Sequence, residues 1–275
     1  MANNFANDPD VVALYRFESG ALTTDSSGNG NTLLDMNTVQ NDTTHYKEGS
    51  QSAYFQASNT EHFLINDSGS NLSDNFPCKN GTSNNVFSFS AWVRIEEFLP
   101  GYIHTIAAKW DSGEGDRSFY FAIDNATKAV RFQLGYNSGN SSEQKNHGST
   151  LSARTWYHVT VCYRDSDKTY AIRVRDANGD VVGSDVETTW SNNINVEDGE
   201  FAIGAFYYNS NPYPSGKMNG QIDELVIFNR FLTASEATTI AKGEYGASYE
   251  ESVSDLMKAS DSLSFTKQIP FSLSD

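Results

Sequence analysis

Two adjacent acids, Asp223 and Glu224, sit near the start of an otherwise apolar run, Ile222-Asp-Glu-Leu-Val-Ile-Phe228. Strict alternation puts Ile222, Glu224, Val226 and Phe228 on one face of a strand and Asp223, Leu225 and Ile227 on the other. Burying a carboxylate beside Ile and Val is costly unless a cation or hydrogen-bond donors satisfy it, so a partner is expected. A segment near the N-terminus offers one. Val11-Val-Ala-Leu-Tyr-Arg-Phe-Glu18 alternates like a strand and ends in an acid, and Asp25-Ser-Ser-Gly-Asn-Gly-Asn31 follows as a polar turn. Glycines there permit positive φ, and Asp and Asn carry side-chain oxygens. Oxygen-rich turns joined to a strand-borne carboxylate suit a hard cation such as calcium, which takes roughly six to eight oxygen ligands.

The elements that must position these groups are short strands separated by Gly, Asn, Asp and Ser clusters. Strands are expected near Ser52–Phe55, His62–Ile65, Phe87–Ile95, His104–Lys109, Phe119–Ile123, Ala129–Leu134, His158–Arg164, Tyr170–Arg175, Glu200–Gly204 and Ile222–Asn229. Asn178-Gly179 suits a hairpin turn. Thr233 and Glu236 have capping-box spacing, which starts a short helix at Ala234. Many strands with little helix imply an all-β, two-sheet sandwich. Ser248 to Glu251 is a second capping box, and Tyr249, Val253, Leu256 and Met257 recur at helical spacing before an extended stretch. The division expected is therefore a sandwich over 1–243 and a helical and extended tail over 244–275.

Several segments resemble the laminin-G-like, concanavalin A-like jelly-roll family. Leu14-Tyr-Arg-Phe-Glu18 with Asp25-Ser-Ser-Gly-Asn-Gly30 resembles its opening, and Gly220-Gln-Ile-Asp-Glu224 through Glu236 its closing strand and helix. Phe87-Ser-Phe-Ser-Ala-Trp92, Ile106-Ala-Ala-Lys109, Trp156-Tyr-His158-Val-Thr-Val161 and Phe201-Ala-Ile-Gly204 are similar to landmarks between them, in the same order. The resemblance runs from about Val11 to Gly243. It implies an antiparallel jelly roll and a sugar as ligand. It also implies a calcium site in which Asp223 and either Glu18 or Asp25 give side-chain oxygens, with carbonyls from Gly28 and Asn31. The alternative is an acid bonded to backbone N–H groups and a nearby Arg; we expect the cation, because one ion satisfies several carboxylates.

A formal net charge of −16 with scattered Lys and Arg excludes nucleic-acid and anionic-membrane binding, which need basic patches. No apolar run approaches membrane-spanning length. Met1-Ala-Asn-Asn-Phe-Ala-Asn-Asp8 has neither the basic start nor the apolar core of a signal peptide, so the expected location is the cytoplasm or a virion, or extracellular if a leader has been removed. Cys78 and Cys162 are too few for a disulfide framework, and Cys162 reads as a buried thiol.

Sugar contacts pair aromatic faces with amides and carboxylates, because C–H faces stack while hydroxyls need hydrogen bonds. That chemistry is present at Trp110 with Asp111, at Tyr136 with Asn137, and at Tyr207, Tyr208, Asn209 and Tyr213. Each aromatic also reads as a half-buried ring closing the sandwich edge, and that reading weighs more. Trp92 and Trp156 read as core, while Asp111, Glu114 and Asp116 read as a solvated acidic turn. Catalytic signatures are missing: there is no Glu-x-Asp-x-Glu strand, no His metal spacing and no nucleophile elbow. Three readings follow, in this order. The first is a non-catalytic recognition or structural protein of a phage-type virion, joined to protein neighbours through its tail. The second is a free carbohydrate-binding lectin, and the third a glycoside hydrolase with dispersed acids.

Overall fold

The computed structural model describes residues 3–246 apart from 68–69, 84 and 114. Of the assembly arm expected over 244–275, residues 247–275, with the second capping box, lie outside the described residues, as does Glu114 of the acidic turn.

Strands in chain order are β1 (Val11–Tyr15), β2 (Leu34–Met36), β3 (Gln40–Asp42), β4 (Ser52–Phe55), β5 (His62–Ile65), β6 (Val86–Ile95), β7 (Ile103–Asp111) and β8 (Asp116–Asp124). They continue as β9 (Val130–Tyr136), β10 (Ser141–Asn146), β11 (Tyr157–Arg164), β12 (Thr169–Arg175), β13 (Val186–Thr189), β14 (Phe201–Ile203), β15 (Ala205–Tyr208), β16 (Asn211–Lys217) and β17 (Gly220–Phe228). The helix α1 spans Ala234–Ala241.

Two sheets result. The first runs β13-β12-β11-β6-β17-β4-β3, with β1 on β17; the second runs β10-β9-β8-β7-β14-β5-β2 and carries the β15–β16 hairpin. Apart from one parallel bridge between Tyr207 and Asp111, the strand pairs among the described residues are antiparallel. This is the expected jelly-roll sandwich. Its layers meet through alternating aromatics: Phe89 of β6 lies 4.9 Å from Phe119 of β8 and 6.2 Å from Phe201 of β14, by ring centroids. Burial of such side chains, at about 25 cal/mol per Å² of apolar surface, is the main force holding the layers together.

α1 covers one end of the first sheet's outer face, where Ile240 joins Leu14, Val226, Phe228 and the buried thiol of Cys162. Its capping box forms as the spacing predicts: Glu236 N–H donates to Thr233 Oγ1 at 3.2 Å, and Thr233 N–H donates to Glu236 Oε2 at 2.8 Å. The folded body continues past 243, since Tyr245 N–H donates to Asn3 Oδ1 at 2.9 Å and its ring packs on Phe5.

Three placements differ from those expected. On β17 the register shifts between Asp223 and Val226, and Glu224 takes φ 47°. One extra residue here reverses the strand's facing, so Ile222, Leu225 and Ile227 share the inter-sheet core while Val226 and Phe228 face α1. Trp92, though buried, lies against His158 under the Lys47 ammonium rather than between the sheets. Trp156 precedes β11 and is half-buried, because strand pairing begins only at Tyr157.

One ion pair is fully enclosed. Lys109 Nζ on β7 lies 2.9 Å from Asp67 Oδ2, both side chains buried, and also donates to the Glu197 carbonyl.

Candidate functional site

Pairing of β1 with β17, Val11 opposite Phe228 and Tyr15 opposite Leu225, brings the two acid-bearing segments together. What neutralises them is the backbone of residues 47–50. Asp223 Oδ2 accepts the N–H groups of Lys47 at 2.7 Å and Glu48 at 3.1 Å, while its Oδ1 accepts Glu224 N–H at 2.9 Å. Glu18 accepts Ser50 N–H and, at 2.6 Å, its hydroxyl. Gly49 lies beneath that carboxylate, and a Cβ there would stand 1.5 Å from Glu18 Oε1. Burial pushes the Asp223 carboxyl up to about 7, against its N–H donors. Burial likewise raises Glu224 to about 8; Arg16, 3.1 Å away, opposes the shift, and the charges of Glu48 and Asp223 add to it.

Asp25 is a separate centre. Its carboxylate accepts N–H groups from Leu14 at 3.0 Å, Ser27 at 2.9 Å and Asn31 at 2.9 Å. The Asn31 carbonyl takes the Tyr15 hydroxyl, and Gly28 supplies the turn's positive φ. Among the described residues, no three His, Cys, Asp or Glu side chains converge on one point. This donor set does not fit calcium, because amide N–H groups turn their positive ends toward the oxygens a cation would need. EDTA is expected to leave Tm within about 1 °C, since a bound ion at excess would add several kcal/mol. A drop of several degrees in a thermal-shift scan would instead assign a cation.

The aromatic residues behave differently. The β15–β16 hairpin folds over the outer face of the second sheet and turns at Asn209 and Ser210, with φ of 51° and 55°. Two positive φ values define the turn type whose twist matches a two-residue hairpin. Asp111 fixes it from β7: Oδ1 accepts Asn209 N–H at 2.8 Å and Oδ2 accepts Ser210 N–H at 2.6 Å. Asp111 is therefore buried and structural, not part of a solvated turn.

Above this anchor the rings form a ladder. Trp110 meets Tyr120 edge-on at 5.0 Å; Tyr120 stacks on Phe206 at 5.2 Å, and Phe206 stacks on Tyr213 at 5.0 Å. Tyr208 closes the top, 6.1 Å from Tyr213. Gly216 makes room for it, since a Cβ there would meet the Phe206 ring at 2.4 Å. Trp110, Tyr120 and Phe206 are buried, while Tyr208 and Tyr213 are 48% and 37% exposed. At the foot of the ladder the Tyr120 hydroxyl donates to Gln133 Oε1 at 2.6 Å, and Gln133 Nε2 donates to Ser142. Arg131, paired with Asp124, lies beside them. The result is an exposed aromatic platform beside a row of amide, hydroxyl and guanidinium groups.

The structure thus brings Trp110, Asp111, Tyr208, Asn209 and Tyr213 to one place, with the first two as supports. Tyr207 faces away from the platform: it is buried and its hydroxyl meets His62 Nε2 at 2.7 Å. Tyr136 lines a shallow depression with Trp190, Asn192 and Asn193, and Asn137 sits in the β9–β10 turn at φ 57°. Sequence reasoning passed over Tyr120, Arg131 and Gln133. Their outward parity on β8 and β9, opposite Phe119, Phe121, Phe132 and Leu134, is the signal that would have found them.

A sandwich of two antiparallel sheets with one helix behind the last strand defines the jelly-roll class. A family profile described as the concanavalin A-like lectin/glucanases superfamily matches residues 66–238, and the chain belongs to that family. No curated protein matches the chain. Among solved structures it is similar to one of botulinum neurotoxin type C, whose cell entry is described as dependent upon interaction with two ganglioside molecules. That match has TM-score 0.58 and 15% identity, over 88% of this chain and 53% of the other. It is also similar to the binding domain of botulinum neurotoxin DC in complex with rat synaptotagmin II, with TM-score 0.56 and 14% identity over 86% and 52% of the two chains. A third likeness, to the Ruminococcus gnavus IT-sialidase CBM40 bound to α2,3 sialyllactose, has TM-score 0.46 and 12% identity over 57% and 82%. The chain thus spans about half the length of the neurotoxin chains. At these identities the likeness is one of fold.

Proposed function

We propose that this chain is a non-catalytic carbohydrate-recognition module whose contact surface is the β15–β16 hairpin with the outer row of β8 and β9. The observation that carries the reading is the pair Tyr208 and Tyr213, exposed on a buried aromatic ladder. A sugar's C–H face suits such rings, while Gln133, Ser142 and Arg131 serve its hydroxyls. A neurotoxin of the same fold is described in contact with gangliosides, which adds glycolipid sugars to the candidates. The absence of catalysis is supported by acids spent on amides, as at Asp111 and Asp223, and by buried imidazoles. Burial lowers His158 to about 3 and His104 to about 4, so neither is a base poised near neutrality.

The virion setting rests largely on the tail over 244–275, of which 247–275 lies outside the described residues, and the neurotoxins named above are not particle proteins. The lectin reading therefore takes first place. Screening the protein on neutral, sialylated and ganglioside glycans should give saturable binding that Tyr213→Ala weakens about tenfold, with Tm within about 2 °C of wild type. Unchanged affinity in Tyr208→Ala and Tyr213→Ala proteins, or a folded protein that binds no glycan, would overturn the assignment.

A further inference from the structure

A cavity of about 360 Å³ opens on the outer face of the first sheet, away from the hairpin, and the function proposed above makes no use of it. Lys47 and Glu48 form one wall, Asn178 a second, and Lys242 and Glu244, just past the end of α1, a third; Trp92 lies at the bottom. These walls are built. Asp223 fixes the first by accepting Lys47 and Glu48 N–H, and Asn3 holds the Glu48 carboxylate with its own N–H and Nδ2. The second and third are packed together: a Cβ on Gly179 would meet Lys242 Cγ at 2.5 Å. The Lys47 ammonium spans the cavity floor, 4.1 Å from the Trp92 ring centroid, and donates to the Ala177 carbonyl at 2.9 Å.

Two ammonium groups and two carboxylates share the lining, so their charges cancel and neither an anion nor a cation is selected. What the lining does offer is donors and acceptors on facing walls. Among the described residues the Asn178 amide, the Lys242 ammonium and the Glu244 carboxylate make no side-chain hydrogen bond or ion pair. A compact ligand that needs both donors and acceptors and carries no net charge, as a neutral sugar does, matches this lining. We propose that this cavity is a second saccharide site, for a neutral monosaccharide unit, on the sheet opposite the hairpin platform. The proposal rests on the carbohydrate-recognition reading. It extends that reading to two sites on opposite faces, which lets one molecule bridge two glycan chains and gain affinity by multivalency.

The test uses the full chain carrying Tyr208→Ala and Tyr213→Ala, so that the hairpin platform is removed. Methyl β-galactoside, methyl β-glucoside, N-acetylglucosamine and, as a charged control, glucuronate are titrated while the Trp92 indole N–H and the Lys47 and Asn178 amides are followed by heteronuclear NMR. At least one glycoside should move these signals saturably, and adding Asn178→Ala with Lys242→Ala should weaken that response about tenfold or more without lowering Tm. Silent Trp92 signals with every glycoside, a response unaltered in the Asn178→Ala/Lys242→Ala protein, or a response to glucuronate alone would each overturn the second site. The two readings fail separately. Hairpin-dependent binding with a silent Trp92 sinks only this cavity, whereas a responsive cavity with binding indifferent to Tyr213 sinks only the platform.

Discussion

Lys109→Met is expected to destabilise the domain by about 3–5 kcal/mol, the cost of leaving one member of an enclosed ion pair uncompensated. Asp67 would keep its carboxylate in the interior with no ammonium 2.9 Å away. The Glu197 carbonyl would lose a donor at the same time. In the double variant Lys109→Met/Asp67→Leu most of that loss should return, because two apolar groups of similar volume have no charge to desolvate. Urea denaturation of the four proteins in a double-mutant cycle measures both numbers. A single variant within about 1 kcal/mol of wild type would show that solvent reaches the pair.

Acidification from pH 8.5 to 6.5 should stabilise the protein by about 2 kcal/mol, or roughly 5 °C in Tm for a domain of this size. Asp223 and Glu224 are raised to about 7 and about 8. A carboxyl whose folded pKa lies above its unfolded value binds protons more tightly when folded. Its contribution is complete below the unfolded pKa and disappears as pH rises through the folded one. The window closes near 6.5 because burial lowers His62, His104, His147 and His158, and each then opposes folding as the medium becomes more acid. Glu224→Gln should flatten the profile between 8.5 and 6.5. A Tm that is level or falling across the same interval in the wild type would contradict the assignment.

Much of this architecture is legible in the chain because its causes are local. The strands Ser52–Phe55 and His62–Ile65, and the Thr233–Glu236 cap, follow from alternation and from one hydrogen-bond motif. The pairing of the two acid-bearing ends was expected too, from the order of the landmarks. What neutralises those acids was not, because no pattern in residues 47–50 announces that their amides will turn toward Asp223 and Glu18. The bulge at Glu224 is likewise invisible: the letters alternate, and the extra residue, whose carboxylate meets Arg16 at 3.1 Å, shows only in the strand register. At the platform, residue types were readable and roles were not. Asp111 and Tyr208 look equally suited to a sugar, and only the fold shows one holding the turn while the other faces water.

The seam has a further consequence for how the unit can be used. Asn4 N–H donates to the Tyr245 carbonyl at 2.8 Å, so the chain enters and leaves the sandwich at neighbouring points. A host polypeptide can therefore carry this unit as a guest inserted into one of its surface loops, with no stretching at either junction. The same adjacency permits circular permutation, with a short tether joining 4 to 245 and a new break at the exposed Asn137-Ser138 turn between β9 and β10.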